Sequence, residues 1–405
     1  MLPEHVDEAL RGLNVLVVSH RTDLSGPTEA LVDFLGRRVN ALGFISHPFH
    51  YCLDHRSRGL LLDDGKVQLD RRLGSWPRRE PFIFVKDFSL TLHFLRRFGR
   101  RFHVYMGVNP FNMLTGLWLQ RFGLVDQTVL YSIDWMPRRF PQPWLNWLYH
   151  RVDRLAVSGC DVAWNLSEPI REVRAAQGKP SERNLYTPVG VDLEALQQPT
   201  KEYVMSVGRK RLVLLGALAP SKGVAAVLKA FPIVRAQHPD TELVVIGRTP
   251  VGAQEDGIPF APYEDRLAQL KGVKLLGALP HEEVLELLPT YGISLAPYTV
   301  SATNLSNWAN PSRVIDSLAA GLPVLITRVP AIADEIEACQ AGIVIEDDPE
   351  SLAQAIIRLI ADPELYWQMR QNALALASHY DWTAIFQRAL AATINTGQPV
   401  EAAAP

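Results

Sequence analysis

Residues 295–327, LAPYTVSATNLSNWANPSRVIDSLAAGLPVLIT, hold the densest set of groups able to do chemistry. An apolar run leads into a polar loop, and Asn310-Pro311 then opens an amphipathic segment that ends at Gly321. Asn310 is a good N-cap residue, and Pro311 stands where proline is tolerated at a first helical position. The free N–H groups of such a helix start, near Ser312, make an anion site, and a diphosphate is the anion they suit. Arg313 in the first turn adds a charge-assisted donor. Asp316, three residues on and on nearly the same face, offers a carboxylate to ribose hydroxyls. A helix that is merely capped and packed is the competing reading.

Three more groups stand just after strand-like runs. Asp134 follows TVLYSI and His20 follows LNVLVVS, so both fall at carboxyl ends of strands, where open α/β sheets bind ligands. Asp134 is the first candidate for a general base acting on a hydroxyl, provided burial raises its pKa, and His20 is the second. An N-cap or turn aspartate ahead of Met136-Pro137 is the plainer alternative. Lys222-Gly223, in the turn after RLVLLG, adds a cation at another strand end, where a solvated turn lysine is the ordinary case.

Positioning these groups takes short buried strands alternating with helices. Residues 13–19 are apolar nearly throughout, as in a strand buried on both faces, and residues 29–43 follow with helical periodicity. Further strands are expected at residues 81–86, 103–107, 128–133 and 162–166. The pattern restarts with strands at 211–216, 242–247, 273–277, 293–297, 323–327 and 342–345, and a helix at 224–236. The fold class is α/β, as two Rossmann-like domains over residues 1–190 and 208–380 facing across a cleft. Residues 192–210 read as the linker, and the tail after 396 as disordered.

The run P-S-R-V-I-D-S-L-A-A-G-L-P-V resembles the helix that marks group-1, family 4-like glycosyltransferases of GT-B architecture, where it often reads P-x-K-x-x-E-Y-x-A-x-G-x-P-V. The resemblance implies that Asp316 replaces a ribose-binding glutamate and Arg313 a lysine. Backbone N–H groups at Ser312 and its neighbours, Asn310 included, would then meet the diphosphate. LLGALAPSKGVAAVLKAF is similar to the family's first turn of the donor domain, with Lys222-Gly223 on the K-G whose lysine contacts phosphate. VVIGR, ending in Arg248, and residues 273–280, with Leu279, fall where relatives hold the nucleotide. SHRTDLSGPTEAL resembles a G-G-x-E loop, matching at Gly26 and Glu29. Asp134 resembles the catalytic aspartate of some bacterial glucuronosyltransferases of this fold. The helix around Trp382, residues 381–396, is the one that crosses back onto the first domain in relatives. Three positions depart from the pattern: Ala217 for an arginine, Val189 for an asparagine, and Trp308 for a glutamate near the sugar.

The expected activity is therefore transfer of a sugar from a nucleotide-diphosphate sugar to an acceptor hydroxyl, in polysaccharide or glycolipid synthesis. No metal or cofactor is expected, since the helix start and the cations offset the leaving diphosphate and the chain has no D-x-D triplet. The acceptor is expected to be a carbohydrate or lipid-linked. A net charge of −2 argues against a nucleic-acid partner. Arginine pairs at 71-72, 78-79, 96-97 and 100-101, with the tryptophans of WMPRRFPQPWLNWLYHRVDRLAV, suit peripheral contact with a membrane face. With three scattered cysteines and an N-terminus unlike a signal peptide, the expected location is the cytoplasm, at most peripheral to the inner membrane face. A nucleotide-sugar epimerase or a phosphorylase on the same fold remains an alternative, as does a non-catalytic binding or scaffold protein. A dehydrogenase is disfavoured because neither first turn reads G-x-G-x-x-G.

Overall fold

The computed structural model describes residues 3–21, 26–49, 52–74, 82–250, 254–255, 258–259 and 263–397. The chain divides into two compact units, one made of Met1–Pro188 with Thr383–Pro405, the other of Val189–Trp382. The division falls at Pro188, so residues 192–210 lie within the second unit and include the short helix Lys201–Ser206.

The first unit is built on eight strands: β1 (Asn14–Arg21), β2 (Ala41–Pro48), β3 (Ser57–Asp63), β4 (Lys66–Leu73), β5 (Phe102–Val108), β6 (Val125–Ser132), β7 (Val162–Asn165) and β8 (Asn184–Tyr186). Their order is β4-β3-β2-β1-β5-β6-β7-β8. β1 runs parallel to β2 and to β5, and its residues Val15–Val18 are buried on both faces, which is why the run is apolar without alternation. β3 and β4 are antiparallel additions at one edge, and β4 is mostly exposed. The helix Trp382–Gly397 packs into this unit, with Trp164 Nε1 donating to Thr393 Oγ1 at 3.0 Å and Phe386 against Phe34.

Two expectations for this unit are corrected, and one hairpin is added. Residues 82–86 belong to the helix Phe82–Phe98, not to a strand; Pro81 lies outside the described residues. The aromatic, β-branched start mimics a strand, but the run continues for seventeen residues with Asp87, Thr91, Phe94 and Phe98 all buried, a spacing of three to four. The helix after β1 ends at Gly36, and its supposed tail is β2. The β3–β4 hairpin was not anticipated, although Asp64 and Gly65, both at positive φ, form the two-residue turn that such a hairpin favours.

The second unit holds β9 (Arg211–Leu215), β10 (Glu242–Ile246), β11 (Gln254–Glu255), β12 (Ile258–Pro259), β13 (Val273–Gly277), β14 (Ile293–Ala296), β15 (Val324–Thr327) and β16 (Gly342–Ile345). Six of them form a parallel sheet in the order β13-β10-β9-β14-β15-β16, while β11 and β12 pair separately. Alternate residues feed two cores. Val213, Leu215, Val244 and Ile246 face one cluster, and Leu212, Leu214, Leu243 and Val245 face the other. Burying both faces leaves the strand ends as the place for polar function. Strand order reverses between β1 and β5 in the first unit and between β9 and β14 in the second, and open α/β sheets place ligands outside the carboxyl ends at such points. The tail beyond residue 397 lies outside the described residues.

Candidate functional site

Backbone geometry comes first at the β9/β14 switch point. Gly216 leaves β9 at a φ of 102°, and its N–H donates to the Ile246 carbonyl at 2.8 Å. The Leu218 N–H donates to the Arg248 carbonyl at 3.1 Å, stitching the loops after β9 and β10 together. The next turn, Pro220–Lys222, is tied to the loop after β14. Thr299 Oγ1 donates to the Pro220 carbonyl at 2.9 Å, and Asn304 Nδ2 to the Ser221 carbonyl at 3.0 Å.

Two cations then meet on one buried ring. The Lys222 ammonium lies 5.0 Å from the Tyr298 ring centre and donates to Ser306 Oγ at 2.9 Å. The Arg313 guanidinium lies 4.2 Å from the same centre, with Nε donating to Tyr298 Oη at 2.7 Å and Nη1 to the Leu215 carbonyl at 2.9 Å. Both of those acceptors are uncharged. Arg313 Nη2 is buried without a hydrogen-bond partner among the described residues. A buried, unpaired donor on a guanidinium is costly, and an anion placed there would satisfy it.

The helix that carries Arg313 is Ser312–Ala319. Its cap residue is Pro311, which supplies no side-chain acceptor, and Asn310 is buried one position earlier. The expectation that Asn310 caps the helix is therefore corrected: the first helical residue comes one step later, and Asn310 turns inward. Ser312 is exposed at the helix start, where the cap residue Pro311 forms no side-chain cap hydrogen bond.

Asp316, one turn further, is 3% exposed, and its Oδ2 lies 3.2 Å from His281 Nε2. Burial pushes the Asp316 carboxyl above its ordinary range, and the His281 hydrogen bond and charge pull the other way. The same bond raises His281, against its own partial burial. His281 was not singled out in the sequence, because nothing local to Pro280-His281 reveals a carboxylate thirty-five residues away. The carbonyl of Arg248 serves the loop, and its side chain is exposed. Leu279 is half-buried against the unit's core.

In the first unit, His20 ends β1 with both ring nitrogens engaged. Nε2 lies 3.0 Å from Asp87 Oδ2, and Nδ1 lies 3.0 Å from Asn112 Nδ2. Asp87 also faces His47 Nδ1 at 3.4 Å and Lys86 Nζ at 3.2 Å. Burial pushes Asp87 up, but the His20 hydrogen bond and the His47, His20 and Lys86 charges outweigh it and hold the carboxyl low. Burial drives His47 down to about 3, so it is neutral, hydrogen-bonded to Ser57 Oγ and Thr91 Oγ1.

Asp134 sits beyond β6 with its side chain 41% exposed, bound to Arg139 Nη1 at 2.7 Å. The side chain is thus only partly buried, because the loop carrying it runs over the surface. Gly26 caps the helix Pro27–Gly36 in extended backbone that any residue adopts, and its N–H donates to Glu29 Oε2 at 3.0 Å. Residues 22–25 of that loop lie outside the described residues.

Residues 209–362 match the model of the family described as Glycosyl transferases group 1. The glycogen synthase of Mycobacterium tuberculosis is 26% identical over 213 residues, 51% of this chain and 49% of that protein. A phosphatidyl-myo-inositol mannosyltransferase of Propionibacterium freudenreichii is 27% identical over 183 residues, 44% of this chain and 42% of that protein. The chain thus spans about half the length of the curated relatives it matches. Anabaena Alr3699/HepE, solved in complex with UDP, superposes with a TM-score of 0.67 at 15% identity, over 95% of this chain and all of that one. Sucrose-phosphate synthase from Thermosynechococcus elongatus gives 0.66 at 15%, with the same coverage. The fold is the GT-B fold, two α/β units with parallel sheets.

Proposed function

We propose that this chain, whose residues 209–362 carry the group 1 glycosyl transferase pattern, moves a sugar from a nucleoside diphosphate to an acceptor hydroxyl. The observation that carries the reading is the meeting of Lys222 and Arg313 on Tyr298 at the β9/β14 switch point, with the buried Arg313 Nη2 left unpaired. Cations fixed before the reaction stabilise the charge that develops on a departing diphosphate. The open start of the Ser312–Ala319 helix adds backbone donors on the same loop. Asp316 accepts from the ribose hydroxyls.

Asp134 is the better candidate for the acceptor base. It is half-exposed with one ion pair, whereas the His20 side chain is 6% exposed with both nitrogens in use. The relatives that act on phosphatidylinositol suggest a lipid-linked acceptor. A surface of the first unit supports the same reading. On the helix Pro143–Gly159, Trp144, Trp147 and Leu155 are 60–65% exposed, Leu148 is 45% exposed, and Arg151 and Arg154 stand among them. The helix's one acid, Asp153, is buried against Arg174. Indoles and arginines on one helix face suit the interface of an anionic bilayer. No described helix is long and apolar enough to cross a membrane.

The test is product analysis with radiolabelled nucleotide sugars and a membrane-lipid extract. Transfer of label to lipid or glycan, cut about 100-fold or more in Asp134→Asn at unchanged nucleotide affinity, supports the reading. An epimerised nucleotide sugar as product contradicts it.

A further inference from the structure

We infer that His281 is a positioning residue of the donor site, setting the Asp316 carboxylate that receives the ribose hydroxyls of the nucleoside diphosphate. This rests on the donor reading above. Asp316 is almost wholly buried, and His281 is the one hydrogen-bond partner of its carboxylate among the described residues. His281 itself is half-exposed, its side chain 53% accessible, so the pair runs from solvent to a buried acceptor. It opens the helix His281–Leu287, directly after β13 and residues 278–280, while Asp316 comes from the Ser312–Ala319 helix beside Arg313. The pair thus joins the β13 loop to the helix that carries the diphosphate cation.

A carboxylate this buried needs a partner to stay ionised and accepting. The charged groups that act on His281 are Asp316 and, on its own first turn, Glu282, and both favour the imidazolium. Once His281 loses its proton, the buried Asp316 loses its counter-charge and tends to take a proton. It then accepts less well from a ribose diol. Ribose recognition is therefore strongest where Asp316 is ionised and His281 charged, and it falls as pH rises through the raised His281 pKa.

The experiment measures dissociation constants by calorimetry from pH 5.5 to 8.5 for the best of the UDP, GDP, ADP, TDP and CDP panel, matched with its ribose or 2′-deoxy counterpart. Taking the ratio of the two constants cancels the diphosphate's own titration. In the wild type the ribose preference is about tenfold at pH 6 and shrinks towards pH 8.5. His281→Ala loses most of that preference at every pH. His281→Gln, which keeps a donor but cannot titrate, shows an intermediate and pH-independent preference. Unfolding midpoints of both variants stay near that of the wild type. Tight binding with the same preference and the same pH profile in both variants overturns the role of His281. Failure of every diphosphate to bind the wild type overturns the donor reading, and this inference with it.

Discussion

Gly223 lies against Pro297 so closely that a β-carbon on it would come within 1.6 Å of the Pro297 carbonyl oxygen. Its φ of 70° already lies in the left-handed region. The contact presses the Lys222 turn onto the end of β14, and so fixes the ammonium beside Tyr298. Gly223→Ala is expected to cost about 2–4 kcal/mol of stability, combining left-handed strain with a backbone clash. Gly99, also left-handed at 58° but with nothing within 4 Å of a β-carbon, is the control. Gly99→Ala should cost about 1 kcal/mol. Denaturant melts of the two variants check the difference, and equal losses would show that the close approach carries no weight.

Arg313→Lys is not a conservative change here. A lysine's single nitrogen cannot stand at the Nε, Nη1 and Nη2 positions at once, so it cannot hold Tyr298 Oη and the Leu215 carbonyl and also present a donor where Nη2 lies. The expected result is about a tenfold or greater loss of nucleoside diphosphate affinity, with about 1 kcal/mol of stability lost at the Leu215 carbonyl. Calorimetric titration alongside a denaturant melt separates the two. Unchanged affinity would place the diphosphate elsewhere.

Much of this site was legible because it is local. The strand–loop–helix order, the arginine in the first turn and the aspartate one turn on all follow from residues 295–327. The Asp316–His281 bond and the Asp87 cluster were not, since each joins distant segments through register alone. Residues 82–86 misled because aromatic and β-branched residues suit a strand in a short window. The buried positions Asp87, Thr91, Phe94 and Phe98 show the helical period only over the whole segment. The Asp64-Gly65 pair is a local signal for the β3–β4 turn, but the polar, charged β4 beside it lacks the apolar pattern of a strand.

The neutral His47 gives the first unit an acid weakness. Its native pKa, near 3, lies below the ordinary 6.5, so the unfolded chain binds the extra proton first. Stability is therefore full above about pH 6.5 and falls as pH drops towards the native value. The loss should be about 2 kcal/mol between pH 6.5 and 5, if the group is fully neutral when folded. Asp87, held low, adds a loss in the same direction at lower pH. Urea melts across this range should show the slope in the wild type and a flatter one in His47→Gln. Identical slopes would contradict the assignment.

The exposed face of the Pro143–Gly159 helix predicts binding to anionic vesicles. Trp144→Ser with Trp147→Ser should reduce partitioning onto phosphatidylglycerol vesicles by about tenfold or more. Arg151→Gln with Arg154→Gln should weaken it by about 1 kcal/mol per charge, and most strongly at low salt. All these side chains are exposed, so the fold should be unaffected. Sedimentation with neutral and anionic vesicles is the readout. Wild-type protein that stays in the supernatant with both would rule the membrane face out.

The most direct check of the donor site is a thermal-shift panel of UDP, GDP, ADP, TDP and CDP against the wild type and Lys222→Ala. A ligand at 100 times its Kd stabilises by about 2.7 kcal/mol, a shift of several degrees. The account predicts that one diphosphate stabilises the wild type by this amount and that Lys222→Ala loses most of the shift while keeping its unliganded midpoint. A flat panel for the wild type, or a full shift in Lys222→Ala, would contradict it.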